Sequence, residues 1–269
     1  MSPSPGQIDL SGRKAIVTGG SRGLGRATVR GLAEAGTDVV VVDKRAKEAL
    51  AVAEEVAEET GRELIAHACH MGHWDEIDGL VDAAYEAFGR VDILVNNAGM
   101  SPKYGTPSSI TEEQWDKVLA VNLKGPFRLT ALVGERMAQD GGGSIINVSS
   151  ISALHPNAAV IPYAAAKAGL NSITLAFART FGPTVRVNSI VPGTFLTDIS
   201  SAWNMDQFHA ESENFALKRG AEPEEIVGTM LYLASGASSY TTGALLNVDG
   251  GYLLAGRFGQ AGGYPSAPG

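Results

Sequence analysis

Three residues in the middle of the chain have the types and spacing to move a proton onto or off a carbonyl oxygen. Tyr163 and Lys167 are four residues apart, so on a helix they share one face, one turn from each other. An ammonium beside a phenol favours the phenolate and is expected to lower the tyrosine pKa toward neutral from an ordinary value near ~10. The phenol would then be a usable acid or base at cellular pH. Ser150 precedes Tyr163 by thirteen positions, at the end of the run Gly143-Ser-Ile-Ile-Asn-Val-Ser-Ser150, which reads as a buried strand. A hydroxyl at the C-terminal edge of a strand, followed by a loop and a helix carrying the acid, can converge with it on one small carbonyl. Tyr-x-x-x-Lys also occurs on many helices with no chemical role, so its meaning depends on its partners.

A second constellation lies near the N-terminus. Thr18-Gly19-x-x-x-Gly23-x-Gly25 falls between an apolar strand and a helical pattern, where backbone N–H groups and a helix N-terminus can meet a pyrophosphate. Its spacing differs from the commoner G-x-G-x-x-G, and a glycine cluster can also be simply a tight turn. Asp43 follows Gly25 by eighteen residues, at the end of the second strand, where a carboxylate can take both hydroxyls of an adenosine ribose. That carboxylate favours NAD, because it would repel a 2′-phosphate by a few kcal/mol at intermediate dielectric. Arg22, Lys44 and Arg45 could instead attract that phosphate, be solvated surface charge, or pair with Asp43, so NADP stays possible.

The elements that must position these groups alternate along the chain. Strands are expected at Lys14–Thr18, Asp38–Asp43, Glu63–Cys69, Val91–Val95, Gly143–Ser149, Val185–Val191 and Ala244–Val248. Helical patterns lie between most of them: from the glycine cluster to Ala35, Ala46–Thr60 and Trp74–Phe88. Thr111-Glu-Glu-Gln114 has the form of a capping box opening a long helix that contains Asn122. The Tyr163 helix fades by Gly182-Pro183, and a last helix runs from Glu222 to about Ser235. Residues 194–216 read as irregular, with Trp203, Met205, Phe208 and Phe215 among polar groups. Strands fed by helices imply right-handed crossovers and a parallel sheet covered on both faces.

Composition narrows the function classes. With 269 residues, 44% of them hydrophobic, the chain can build one large α/β domain. We read 1–10 as a flexible head, 11–255 as a single dinucleotide-binding and catalytic domain, and 256–269 as a flexible or subunit-contacting tail. A net charge of −8 without a basic patch argues against nucleic acid and anionic membranes. One cysteine, Cys69, allows no intrachain disulfide. No apolar run approaches the ~20 residues that span a bilayer, and Met1-Ser-Pro-Ser-Pro-Gly does not read as a signal peptide; a cytoplasmic location is expected. His67, Cys69, His70 and His73 resemble metal ligands on paper, but strand alternation points 67 and 69 away from 70, so no metal site is expected.

Taken together, Thr18-Gly-x-x-x-Gly-x-Gly25, Asn96-Asn-Ala-Gly99, Asn122, Ser150, Tyr163-x-x-x-Lys167 and Pro192-Gly-x-x-x-Thr197 closely resemble the short-chain dehydrogenase/reductase family, in its short single-domain branch. Asn247-Val-Asp-Gly-Gly251 and the helix start at Glu222-Pro-Glu-Glu225 fit too, and the resemblance covers about residues 10–252. It implies a Rossmann-type, doubly wound, seven-stranded parallel sheet and hydride transfer between a nicotinamide and a secondary alcohol or ketone. Carried over, Tyr163 would be the general acid/base and Ser150 the donor that polarises the carbonyl. Lys167 would lower the Tyr163 pKa and hold the nicotinamide ribose, while Asn122 would position a water in a proton relay. Gly19, Ser21, Arg22, Gly23, Leu24, Asp43, His70, Met71, Asn97, Ala98, Gly99, Tyr163, Lys167, Pro192, Gly193 and Thr197 would contact the cofactor. A homo-oligomer, commonly a tetramer, is implied as well.

This chain departs from the family pattern at two points. His70-Met71 stands where an Asp-hydrophobic pair is frequent, so imidazole would take over the contact with adenine. Ala153 replaces a small glycine after the catalytic serine. His155 could donate to substrate or have no role, and the aromatics of 194–216 could form a lid or pack ordinarily. An NADPH-dependent 3-oxoacyl-carrier-protein reductase is the alternative activity; it would need a basic docking patch for its acidic carrier. A non-catalytic dinucleotide sensor is the alternative of another class, and it would have no need of Asn122, Ser150, Tyr163 and Lys167 together.

Overall fold

A computed structural model describes residues 8–198, 200 and 205–255. Seven strands, β1 (Lys14–Thr18), β2 (Asp38–Asp43), β3 (Leu64–Ala68), β4 (Ile93–Asn96), β5 (Gly143–Val148), β6 (Val185–Pro192) and β7 (Leu245–Val248), form one sheet in the order β3-β2-β1-β4-β5-β6-β7. Every pairing is parallel. The sheet is therefore the doubly wound Rossmann type that the strand–helix alternation predicts. Strands run outward in both directions from the boundary between β1 and β4. The crevice over the C-terminal ends of those two strands is where an open sheet of this kind binds ligands.

Helices α1 (Gly23–Glu34), α2 (Ala46–Thr60), α3 (Trp74–Phe88), α4 (Glu112–Leu119), α5 (Gly125–Gln139), α6 (Ile161–Phe181), α7 (Met205–Ser212), α8 (Val227–Ala234) and α9 (Tyr252–Ala255) accompany the strands. Alternation along each central strand sorts its side chains between two cores. Val17, Val39 and Val41 pack with Val29 and Leu32 of α1, Val52 and Val56 of α2, and Met230 of α8. Ile16, Val40 and Val42 pack on the opposite face with Ile77 and Leu80 of α3, Leu129 and Val133 of α5, and Phe181 of α6. With both faces covered, the strands can be apolar at every position.

The structure redraws three of the sequence-based boundaries. The long helix expected through Asn122 is two α-helices, α4 and α5, joined by a π-helical stretch at Ala120–Lys124 that carries Asn122. At its N-terminus only half of the expected capping box forms: the Thr111 side chain accepts from the Gln114 N–H at 3.1 Å, while the Gln114 side chain donates to the Lys103 carbonyl. The segment 194–216 contains α7, so it is not wholly irregular; α7 carries buried Phe208, and Phe215 is buried just beyond it. The helix expected from Glu222 begins as a 3-10 turn, Pro223–Ile226, before α8. Leu10, at the end of the expected head, is buried, and its N–H donates to the Ala35 carbonyl at 2.8 Å. Trp203, residues 1–7 and the tail 256–269 lie outside the described residues. Among those described, no helix is long and apolar enough to cross a membrane.

Candidate active site

A cleft of about 700 Å³ opens over the C-terminal ends of the central strands. All but two of the residues predicted to form the site line it; Ser21 and Asn122 stand behind the wall. Its floor is the β1–α1 turn. Gly19 has φ +66°, a backbone a side chain rarely adopts, and a Cβ on Gly25 would lie 2.0 Å from the Gly19 carbonyl oxygen. The turn thus folds against the start of α1 at a distance only glycine permits. Arg22 at the N-cap makes no side-chain capping bond and the first turn of α1 holds no acidic residue, so the helix N-terminus faces the cleft as a site for anionic oxygens.

Thr18, which the spacing argument used only as a marker, holds this floor to β4. Its hydroxyl accepts from the N–H groups of Asn97 and Ala98, both at 3.0 Å, and donates to the Val95 carbonyl at 3.3 Å. The Asn97 amide donates back to the carbonyls of Thr18 and Gly19 at 2.9 and 3.1 Å. Asn97 therefore braces the cradle. Its side chain is spent on the backbone.

At one end of the cleft, Asp43 accepts from the Ser21 hydroxyl at 2.6 Å and from the Arg45 backbone N–H and Nε at 3.1 and 3.3 Å. An Arg45 terminal nitrogen also donates to Ser21 Oγ at 3.1 Å. Burial pushes the Asp43 carboxyl up, but these bonds from Ser21 and Arg45 outweigh it and hold the group below the ordinary carboxylate range. Of the three cations weighed, Arg45 thus pairs with Asp43, while Arg22 and Lys44 are exposed at the rim.

The chain turns sharply after β3, which the alternation argument did not anticipate. The His73 N–H reaches the His70 carbonyl at 2.8 Å, and the two imidazoles stack with centroids 4.3 Å apart. Glu76 accepts from the His70 backbone N–H and contacts His73 Nδ1, both at 2.6 Å. Burial is the largest cause that lowers the His70 pKa, with His73 and Lys44 adding to it. His70 and Met71 both line the cleft. Among the described residues no group of three or more His, Cys, Asp or Glu is arranged to hold a metal ion.

At the other end Ser150, Tyr163 and Lys167 come together. Ser150 lies two residues past the end of β5, its Oγ accepts from the Ser152 N–H at 3.1 Å, and its hydroxyl hydrogen-bonds the Tyr163 phenol. Lys167, 2% exposed, donates to the Val148 carbonyl at 2.7 Å and lies 5.7 Å from the centre of the Tyr163 ring. The expected lowering of the Tyr163 pKa is not what this arrangement produces. Part of the side chain reaches solvent, but burial pushes the phenol up, opposed only by the Ser150 bond. Burial also brings Lys167 down to about 7, so near neutrality it carries only part of the charge that would favour a phenolate.

Asn122 is fully buried in the π-helical stretch, a form of backbone frequent at functional sites. Its amide donates to the carbonyls of Met100 and Val118, both at 2.8 Å, and its Oδ1 accepts from the Met100 N–H at 3.2 Å. Pro192, Gly193 and Thr197 border the cleft after β6, as do Met100, Ile151 and Thr194, which no motif singled out. The aromatics of α7 and the chain after it form a packed row: Phe208 meets Phe215 edge-on at 6.4 Å, Phe215 meets Tyr252 at 5.2 Å, and Tyr252 meets His155 at 5.9 Å. His155 thus packs on Tyr252 and is not among the residues lining the cleft.

A glycine cradle at a helix start, a half-buried carboxylate at the end of β2 and a Ser–Tyr–Lys cluster thus share one cleft. A family model described as enoyl-(acyl carrier protein) reductase matches residues 19–253. Short chain dehydrogenase/reductase astE of Aspergillus oryzae is 38% identical over 94% of this chain and 100% of its own length. The 3-oxoacyl-[acyl-carrier-protein] reductase FabG of Thermotoga maritima is 34% identical over 91% and 99%. Among solved structures, NADPH-dependent 3-quinuclidinone reductase from Rhodotorula rubra superposes with a TM-score of 0.86 at 30% identity, covering 94% of this chain and 97% of that one. The chain belongs to the short-chain dehydrogenase/reductase family of oxidoreductases, whose members bind nicotinamide cofactors.

Proposed function

We propose that the protein is an NAD-preferring oxidoreductase acting between a secondary alcohol and its ketone. One observation carries this reading: the Ser150–Tyr163–Lys167 cluster opens into the same cleft as the Gly19–Gly25 cradle and Asp43. The residues fit a dinucleotide. The tight Gly19–Gly25 turn brings the start of α1 to the cleft, where its free N–H groups would meet phosphates, and Asp43 stands at the adenosine end with Ser21 and Arg45 fixing its orientation. When bound, the nicotinamide supplies or accepts a hydride.

The remaining chemistry falls to the chain. Tyr163, a phenol that is protonated at neutral pH and that burial holds further from ionising, donates its proton to the substrate oxygen as negative charge develops there. Ser150 gives a second hydrogen bond to that oxygen, and two donors aimed at one developing alkoxide stabilise it. Lys167, with a pKa of about 7, can take up a proton near neutrality, and its charge would then ease the return of Tyr163 to the phenolate needed for alcohol oxidation. Asn122 holds the Met100 loop beside this cluster. The relationship to the carrier-protein reductase FabG supports a second reading, reduction of 3-oxoacyl thioesters.

The test is nicotinamide absorbance at 340 nm with NADH or NADPH and two ketones, cyclohexanone and the 3-oxo ester ethyl acetoacetate. Turnover with either, preferring NADH, is expected. Dinucleotide binding without turnover on these or a wider set of ketones and secondary alcohols would favour the sensor reading instead.

A further inference from the structure

The helix bearing Tyr163 and Lys167 starts without a cap of its own. Val160 at its N-cap makes no side-chain capping bond, and Pro162 has no N–H to offer. The Ile161 N–H is one of the donors that a helix start leaves without an intrahelical partner. It is taken by a distant residue. Tyr104, fifty-seven positions earlier, accepts it on its hydroxyl oxygen at 2.8 Å, and the same hydroxyl donates to the Ala158 carbonyl. One phenol thus ties together the loop after β4, the segment that follows Ser150 and the first turn of α6, two residues ahead of Tyr163.

The other end of that loop is tied as well. Met100 is held through both its N–H and its carbonyl by Asn122, and the Lys103 carbonyl accepts from the Gln114 side chain at 3.4 Å. Met100 and Ser101 line one side of the cleft; Ile151 and Ser152 line the side reached through Ser150. The loop therefore stretches from the Asn122 clamp to the start of α6, and Tyr104 is its only described side-chain hydrogen bond to that helix.

We infer that Tyr104 is a positioning residue, setting the start of α6 and through it the Tyr163 phenol relative to Ser150. This rests on the proposed role of Tyr163 and adds to it. A group held about 1 Å from its productive place loses much of its catalytic advantage, so losing one bond here should be felt in turnover before binding.

The experiment compares wild type, Tyr104→Phe, Tyr163→Phe and the double variant with NADH and either ketone named above. Tyr104→Phe is expected to lower kcat about tenfold, the scale of one lost hydrogen bond, and to leave NADH affinity within about twofold of wild type. In the Tyr163→Phe background the same change should cost little further, because a residue acting through the phenol has nothing left to position. Hydrogen exchange should also show faster uptake in residues 160–164 of Tyr104→Phe. Unchanged kcat together with unchanged exchange would overturn the inference, as would an equal, additive loss in both backgrounds. If neither ketone is turned over, exchange alone decides: unchanged uptake in 160–164 overturns it, and faster uptake confined there supports it. A failure of the proposed function reads differently, as a Tyr163→Phe variant that turns over like wild type.

Discussion

Gly25→Ala opposes two physical effects whose signs differ. Gly25 is the third residue of α1, and helix propensity by itself favours alanine there by up to ~1 kcal/mol. Against this, the added Cβ would sit 2.0 Å from the Gly19 carbonyl oxygen and 2.5 Å from Asn97 Nδ2, where real Cβ contacts essentially never fall below 3.0 Å. The nearer neighbour is backbone. It is held by the Asn97 amide at 3.1 Å and belongs to a residue at φ +66°, so it cannot swing aside as a side-chain tip would. The turn must open by about 1 Å, and overpacking of that kind costs ~1–3 kcal/mol or more. Strain therefore wins over propensity, and for a chain of this size each kcal/mol moves Tm by about 2–4 °C.

The assay is thermal unfolding with and without NADH. Gly25→Ala should melt several degrees below wild type, and it should lose most of the added stability that saturating dinucleotide gives, ~2.7 kcal/mol at a hundredfold excess over Kd. Gly79→Ala supplies the contrast, since Gly79 is exposed in the middle of α3 with nothing within 4 Å of a new Cβ. There propensity acts alone, and Tm should rise slightly. A Gly25→Ala protein as stable as wild type, with NADH binding intact, would refute the close-approach argument and the cradle built on it.

Two further outcomes follow from the charges in the cleft. Lys167 has a folded pKa of about 7 against an ordinary value near 10.5, so between those values the unfolded chain binds the extra proton; stability from this group is present at high pH and is lost as pH falls to about 7. Unfolding followed from pH 6 to 10 should therefore show wild type gaining on Lys167→Met as pH rises, and parallel curves would contradict the assignment. Asp43→Ala removes the carboxylate that would repel a 2′-phosphate and frees Arg45 from its partner. The ratio of NADPH to NADH affinity, read by titration, should rise by tenfold or more; no change in the ratio would mean that Asp43 does not select the cofactor.

The sheet could be read from the sequence because its physics is local. Runs such as Val39–Val42 are apolar at every position, as burial on both faces demands, and the helices between them carry apolar residues at helical spacing. Ser150, Tyr163 and Lys167 could be placed on one site because a strand edge and one helix turn fix their separation. What escaped were features set by tertiary contact. The π-helical stretch at Asn122 leaves no mark in periodicity, and His70 meets His73 only because the chain turns after β3. Thr18 and Tyr104 act through backbone groups that lie close only once the chain has folded, 79 and 57 residues away respectively. The direction of the Tyr163 shift was missed for a similar reason. Spacing reveals the neighbouring ammonium, whereas the burial that raises the phenol and partly discharges Lys167 belongs to the folded cleft.

The most direct test of the central claim is Tyr163→Phe, measured for NADH affinity and for ketone reduction in the same preparation. The phenyl ring keeps the packing and removes the acid. NADH affinity should stay near that of wild type, while turnover should fall by ~10²–10⁴, the range that a positioned general acid contributes. Turnover equal to wild type would show that the proton comes from elsewhere and that the Ser150–Tyr163–Lys167 cluster is not the catalytic centre.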